Sequence, residues 1–190
     1  METVLKNLEK LEMFSIQKID IFRGDFFQIT LSDPAYFLDL AVYLRSCLIS
    51  LSDDIETKYD ARLSLSYSEM DFSTELKDRS YFEEAYLLSG RGLDNMPKNM
   101  MMEFNSSIEG WHRSFNGPIR LLDFIIGSLS KPQAQVLSEI ILERKINVLG
   151  LSARTGKTQQ NIYKLMERGG IRQIYDFLEY SRDQIHFLRR

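Results

Sequence analysis

The sequence predicts an α+β protein in two parts, a sheet-and-helix domain over residues 1–129 and an all-α domain over 130–190. Three observations carry this. Several short segments of the first part alternate apolar and polar residues at the period of a strand, and the stretches between them repeat apolar residues at the period of a helix. Every apolar run of the second part has helical spacing. Within it, Ser152, Gly156 and Ile162 stand at the offsets of a helix-turn-helix, with Leu151 and Leu165 supplying further inward contacts.

Residues 2–14 place Val4, Leu5, Leu8 and Leu11 on one helical face. Ile19, Ile21, Phe27, Ile29 and Leu31 then alternate around Gly24-Asp25, which predicts a hairpin of strands 17–23 and 26–31. Asp33-Pro34 opens a helix to about Ser52, with Asp33 as N-cap and Pro34 in the first turn. Asp60 to Tyr67 alternates and forms a third strand; Met70 to Asp78 reads as a loop. Ser80 to Met96 is a helix ended by Pro97, and Met100, Met102 and Phe104 mark a fourth strand. Ile108 to Leu129 is largely helical, with a kink or break expected at Gly117-Pro118. Strands and helices in this order favour helices on one face of an antiparallel or mixed sheet.

The C-terminal part is read in the same way. Lys131 to Ile146 forms a leading helix through Ala134, Leu137, Ile140, Ile141 and Arg144. A shorter helix ends at Gly156, which supplies a positive φ at no steric cost. The next helix starts near Thr158 as N-cap and stops at Gly169-Gly170, and a last one begins with Ile171, Ile174, Tyr175 and Leu178. The third helix of this series turns Gln159, Gln160, Asn161, Lys164 and Arg168 outward. Amides and cations in such a row can bond base edges in the major groove or the phosphates beside it. An ordinary helical hairpin with a solvated polar face is the competing reading.

Charge sharpens the comparison. Lys131 to Arg190 holds 11 basic and 6 acidic residues, a balance of +5, and residues 1–130 hold 13 and 21, a balance of −8. A basic C-terminal third beside an acidic body suits a nucleic-acid module whose contacts are confined to that third. The single cysteine, Cys47, leaves no intramolecular disulfide, and no apolar stretch reaches the roughly 20 residues that span a bilayer. With an N-terminus unlike a signal peptide, these features predict a cytoplasmic protein without a membrane partner.

Other motifs are weaker. Thr155-Gly156-Lys157-Thr158 mimics the end of a phosphate-binding loop, but position 151 is Leu where that loop needs Gly, and no buried strand precedes it. His112 and His186 lack companions at ligand spacing, no Ser-His-Asp pattern stands out, and Arg23-Gly24-Asp25 carries no meaning inside a cell. No metal or cofactor is expected. The aromatic run Tyr175, Phe177, Tyr180 and Phe187 reads as a packing face or as a two-fold dimer interface.

Ile21-Phe-Arg-Gly-Asp-Phe-Phe-Gln28, Asp60-Ala-Arg-Leu-Ser-Leu-Ser66 and Glu84-Ala-Tyr-Leu-Leu-Ser-Gly-Arg-Gly-Leu-Asp94, in this order, resemble the nucleotide-cyclase-like (ferredoxin-like) fold. Followed by a helix-turn-helix, they resemble the small bacterial SatD-type proteins. The resemblance implies a degenerate domain lacking its first strand. Asp25 matches one of the two metal-binding aspartates of a cyclase, whereas the strand carrying the other is missing. Arg91 matches the helix arginine, but Leu87 stands where the companion asparagine belongs. One ligand and one arginine are too few for two-metal phosphoryl chemistry, so the implication is a non-enzyme. Asp25 and Arg91 are left either as a remnant pocket for an anionic small ligand, or as a turn residue and a structural ion-pair partner. The expected function is transcription regulation through double-stranded DNA, with Gln159, Gln160 and Asn161 on bases and Lys157, Lys164 and Arg168 on phosphates around the Thr158 cap. The alternatives are a protein-interaction or dimerisation module without DNA binding, and a residual metal-dependent nucleotide-binding protein.

Overall fold

A computed structural model describes residues 8, 12–22, 25–52, 58–68 and 80–188. Helices and small sheets are mixed, an α+β arrangement. The helix expected over residues 2–14 and the loop expected over 70–78 fall largely or wholly outside the described residues; Leu8 is helical and fully buried. The chain divides into two compact units. One combines Met1–Asp60 with Ser128–Arg190, and the other is Ala61–Gly127. This division differs from the boundary at 129/130 suggested by sequence: the N-terminal segment packs with the C-terminal helices, and the second unit is inserted between them in the chain.

In the first unit, β1 (Ile16–Ile21) pairs antiparallel with β2 (Phe27–Leu31), Ile19 opposite Ile29 and Ile21 opposite Phe27. Asp33 does cap the next segment, accepting the Ala35 N–H at 3.0 Å. The capped turn is a 3-10 turn, Pro34–Tyr36, and α1 (Phe37–Ser50) begins after it. Nearly all of α1 is buried, including Leu38, Leu40, Ala41, Val42, Leu44, Leu48 and Ile49 on several sides. A helix apolar all round must be central to its unit. Its main partner is α4 (Lys131–Glu143), which contributes Ala134, Val136, Leu137, Ile140 and Ile141, all at most 2% exposed.

Two charged residues on α1 share that burial. Arg45 is fully buried and makes a bidentate pair with Asp60, at 2.9 Å from Nε and 2.8 Å from Nη2. Asp39 pairs with Arg182 of the last helix, while its Oδ2 has no hydrogen-bond partner among the described residues. Burial pushes the Asp39 carboxyl up to about 6, with the Arg182 and Arg144 charges opposing it. The leading helix ends earlier than Ile146, because Arg144 is its C-cap at φ 51°. From there Arg144 lies over the Tyr36 ring, 4.2 Å from the centroid, and donates to the Met13 carbonyl; the Tyr175 hydroxyl donates to the Arg144 carbonyl at 2.5 Å.

In the second unit, β3 (Leu63–Tyr67) and β4 (Met102–Ser106) are parallel, Leu65 opposite Phe104. Parallel neighbours need a crossover, and α2 (Ser80–Asn95) supplies it. At Gly92 a Cβ would lie 2.2 Å from Ser64 Oγ and 2.3 Å from Asn105 Nδ2, so any larger residue there would have to displace these strand side chains. The next helix, α3 (Glu109–Gly127), buries Trp111, Phe115, Ile119, Leu122 and Ile126. It runs through Pro118 without the expected break. Trp111 stacks on Tyr67 at 3.9 Å between centroids. Leu121 and Phe124 face outward. Among the described residues the four strands thus form two separate pairs, one antiparallel and one parallel, where the sequence suggested one sheet.

Candidate nucleic-acid interface

The candidate site consists of α4 and three shorter segments of the first unit: α5 (Val148–Thr155), a turn, and α6 (Gln159–Arg168). Asn147 caps α5 by accepting the Gly150 N–H at 3.1 Å. Gly156 ends it at φ 67° with nothing within 4 Å of a hypothetical Cβ, so glycine is needed here for its backbone freedom alone. The Ser152 hydroxyl closes the turn, donating to the Lys157 carbonyl at 2.6 Å. Thr158 starts α6 by accepting the Asn161 N–H at 3.3 Å. Each of these local rules acts on a different residue, and together they fix where α6 begins.

Only Ile162 and Met166 of α6 are buried, with Leu165 half-buried beside them. The helix packs by this one line on α4 and α5, and α7 (Ile171–Leu188) follows after Gly170 at φ 59°. Ile171, Ile174, Leu178 and Ile185 of α7 are at most 1% exposed. Gln159, Gln160, Asn161, Lys164 and Arg168 are all exposed, as the spacing predicts, and so is the cap residue Thr158. Lys157 differs from its expected freedom. It is half-buried, and its ammonium donates to the Gln135 side chain on α4 at 2.6 Å, tying the turn to the leading helix.

Sequence reasoning missed two residues on the same exposed surface. Tyr163, 56% exposed, stands four residues after Gln159, and Glu167 stands seven after Gln160 and three after Lys164. Helical spacing alone marks both as outward, but neither has the residue type that attracts attention in a search for amides and cations. Arg154 on α5 is also exposed but is engaged, at 2.7 Å from Glu139 and also with Glu143 of α4. The Glu139 hydrogen bond, more than that of Glu143, holds its guanidinium above the ordinary range.

The local charge is more one-sided than the whole segment. Between Arg154 and Arg172 stand the cations Arg154, Lys157, Lys164, Arg168 and Arg172 against one acid, Glu167. Beyond it, Asp176, Glu179 and Asp183 on α7 outnumber Arg182. The surplus of positive charge is therefore centred on the turn and α6.

Asp25 is exposed in the turn before β2, in the first unit; Arg91 is exposed on α2, in the second. Among the described residues, no group of three or more His, Cys, Asp or Glu side chains is arranged to hold a metal ion, and no helix is long and apolar enough to cross a membrane. Comparison with family models, with curated proteins and with solved structures finds no match.

Proposed function

We propose that this chain is a cytoplasmic bacterial transcription regulator that binds duplex DNA, non-enzymatically, through α5, the Gly156 turn and α6 as a helix-turn-helix. The observation that carries the reading is the division of α6. One apolar line, Ile162 and Met166, anchors it, and most of the rest of a ten-residue helix presents amides, cations and a tyrosine to solvent, with the exposed Arg172 just beyond it. A helix of this diameter fits the major groove, where Gln159, Gln160 and Asn161 meet base edges and Lys164 and Arg168 meet phosphates. Lys157 joins them only by exchanging Gln135 for a phosphate oxygen, so it contributes less than the other two.

A second copy of the chain is the proposed partner on α7, where Tyr180 is 56% and Phe187 67% exposed on the unit that carries α6. Two-fold pairing there would present two half-sites. The proposed nucleotide-cyclase-like ancestry rests on the sequence motifs around Asp25, Asp60 and Arg91.

The test is a titration of the full chain against random duplex DNA over a range of salt. Binding whose log affinity falls linearly with log salt is expected. Changing Lys164 and Arg168 together to Ala should lower the slope by about 2, one for each phosphate no longer neutralised. A folded protein that binds no duplex at low salt overturns the reading and leaves a protein-interaction module in its place.

A further inference from the structure

Glu167 is the residue of α6 that its own helix does least to explain. A carboxylate in the last turn faces the negative end of the helix dipole, where cations are favoured. Glu167 is exposed and makes no ion pair among the described residues, although Lys164 precedes it by three and Arg168 follows it. Lys N-terminal to Glu is also the weaker order for a helical pair. Packing does not require it, since the buried line passes through Ile162 and Met166.

The helix geometry gives it a place on the outer surface. At 100° per residue, Gln160, Lys164 and Glu167 lie on the side opposite Ile162 and Met166, in a row spanning about 10 Å along the axis, or about three base-pair steps. Lys164 and Arg168 gain from any phosphate. A carboxylate between them loses against every phosphate and gains only where a base edge offers a donor. In the major groove that donor is the exocyclic amine of cytosine.

We infer that Glu167 is a specificity-determining residue of the interface, accepting a hydrogen bond from a cytosine amine at one fixed position of the bound duplex and opposing binding where that amine is absent. This rests on the DNA-binding reading and adds the identity of one base to it. Gln160, earlier in the same row, is suited to an adenine edge.

The experiment selects duplexes from a random library with the full wild-type chain and with the Glu167→Gln and Glu167→Ala variants, and then measures each protein on its selected duplex and on random duplex. The wild type should enrich cytosine at one position and lose about tenfold in affinity when that base is changed. Both variants should lose the preference at that position alone, and both should bind random duplex more tightly than the wild type. Circular dichroism and thermal midpoint should be unchanged or slightly raised, because a carboxylate leaves the C-terminal turn. Variants that keep the wild-type base preference and random-duplex affinity overturn the role of Glu167 while leaving DNA binding intact. A wild type that binds no duplex overturns both.

Discussion

Helices α1 and α6 belong to the same compact unit and are built on opposite plans. Phe37–Ser50 buries residues on every side, including an arginine and an aspartate, while Gln159–Arg168 buries two. Burial on all sides makes α1 the element around which its unit is stable, and its two charged side chains are held by neighbours far away in sequence. The single anchored line of α6 leaves most of its residues without intramolecular work. Stability and recognition are thus assigned to different helices, and substitutions should separate them.

The largest effect is expected at Arg45. Truncation to Ala leaves the Asp60 carboxylate, 11% exposed, without the guanidinium that holds it. Removing one partner of a buried pair costs about 3–5 kcal/mol, and replacing both by apolar residues of similar volume recovers much of it. Urea denaturation should therefore rank Arg45→Ala far below wild type and the Arg45→Met, Asp60→Leu double variant between them. The exposed Lys164→Ala should lie within about 0.5 kcal/mol of wild type by the same measurement. Equal losses at Arg45 and Lys164 would remove the distinction between the two helices.

A second test concerns pH. Asp39 is an acid whose folded value, about 6, lies above its ordinary 3.8, chiefly because burial disfavours the charged form. Between those values the native state holds more protons than the unfolded chain, so stability falls as pH rises through the window and the loss is complete above it. A shift of this size corresponds to roughly 3 kcal/mol. Wild type should lose up to about that much between pH 4 and 6.5, and Asp39→Asn, although less stable through its effect on Arg182, should have a flatter profile there. The same slope in both proteins would place the titration on another group.

The two helices are also unequally legible in the sequence. The start of α6 follows from local chemistry, a positive φ at Gly156 and a side-chain cap at Thr158, and Ile162 is inward as its spacing marks it, whereas the second buried residue is Met166, one place beyond the Leu165 that the pattern selects. Those signals operate within a few residues and survive without knowledge of the fold. The role of Ser152 is only half visible, since its small size is readable but its hydroxyl bond to the Lys157 carbonyl is not. The special features of α1 depend on partners 15 residues away for Arg45 and 143 for Asp39, and no periodicity encodes them. Strand pairing is hidden for the same reason. Alternation locates each strand to within a few residues, but whether β2 neighbours β1 alone or also β3 is decided by contacts that alternation does not contain. Lys157 shows the converse limit, because a cation in a basic stretch reads as free, whereas Gln135, 22 residues earlier, holds its ammonium.

A smaller effect than those at Arg45 and Asp39 tests the turn that joins the two plans. At Gly156 a Cβ meets no atom within 4 Å, so Gly156→Ala costs only the left-handed backbone conformation, about 1–2 kcal/mol. If that conformation is what aims α6, the cost should appear mainly as weaker DNA affinity at low salt, with a modest drop in thermal midpoint, as the chain relaxes the turn and α6 shifts on Ile162 and Met166. Gly156→Asn tolerates positive φ better and should recover most of both. A variant that loses stability while keeping full affinity would mean that α6 is positioned by its apolar line alone, with the turn serving only as a connection.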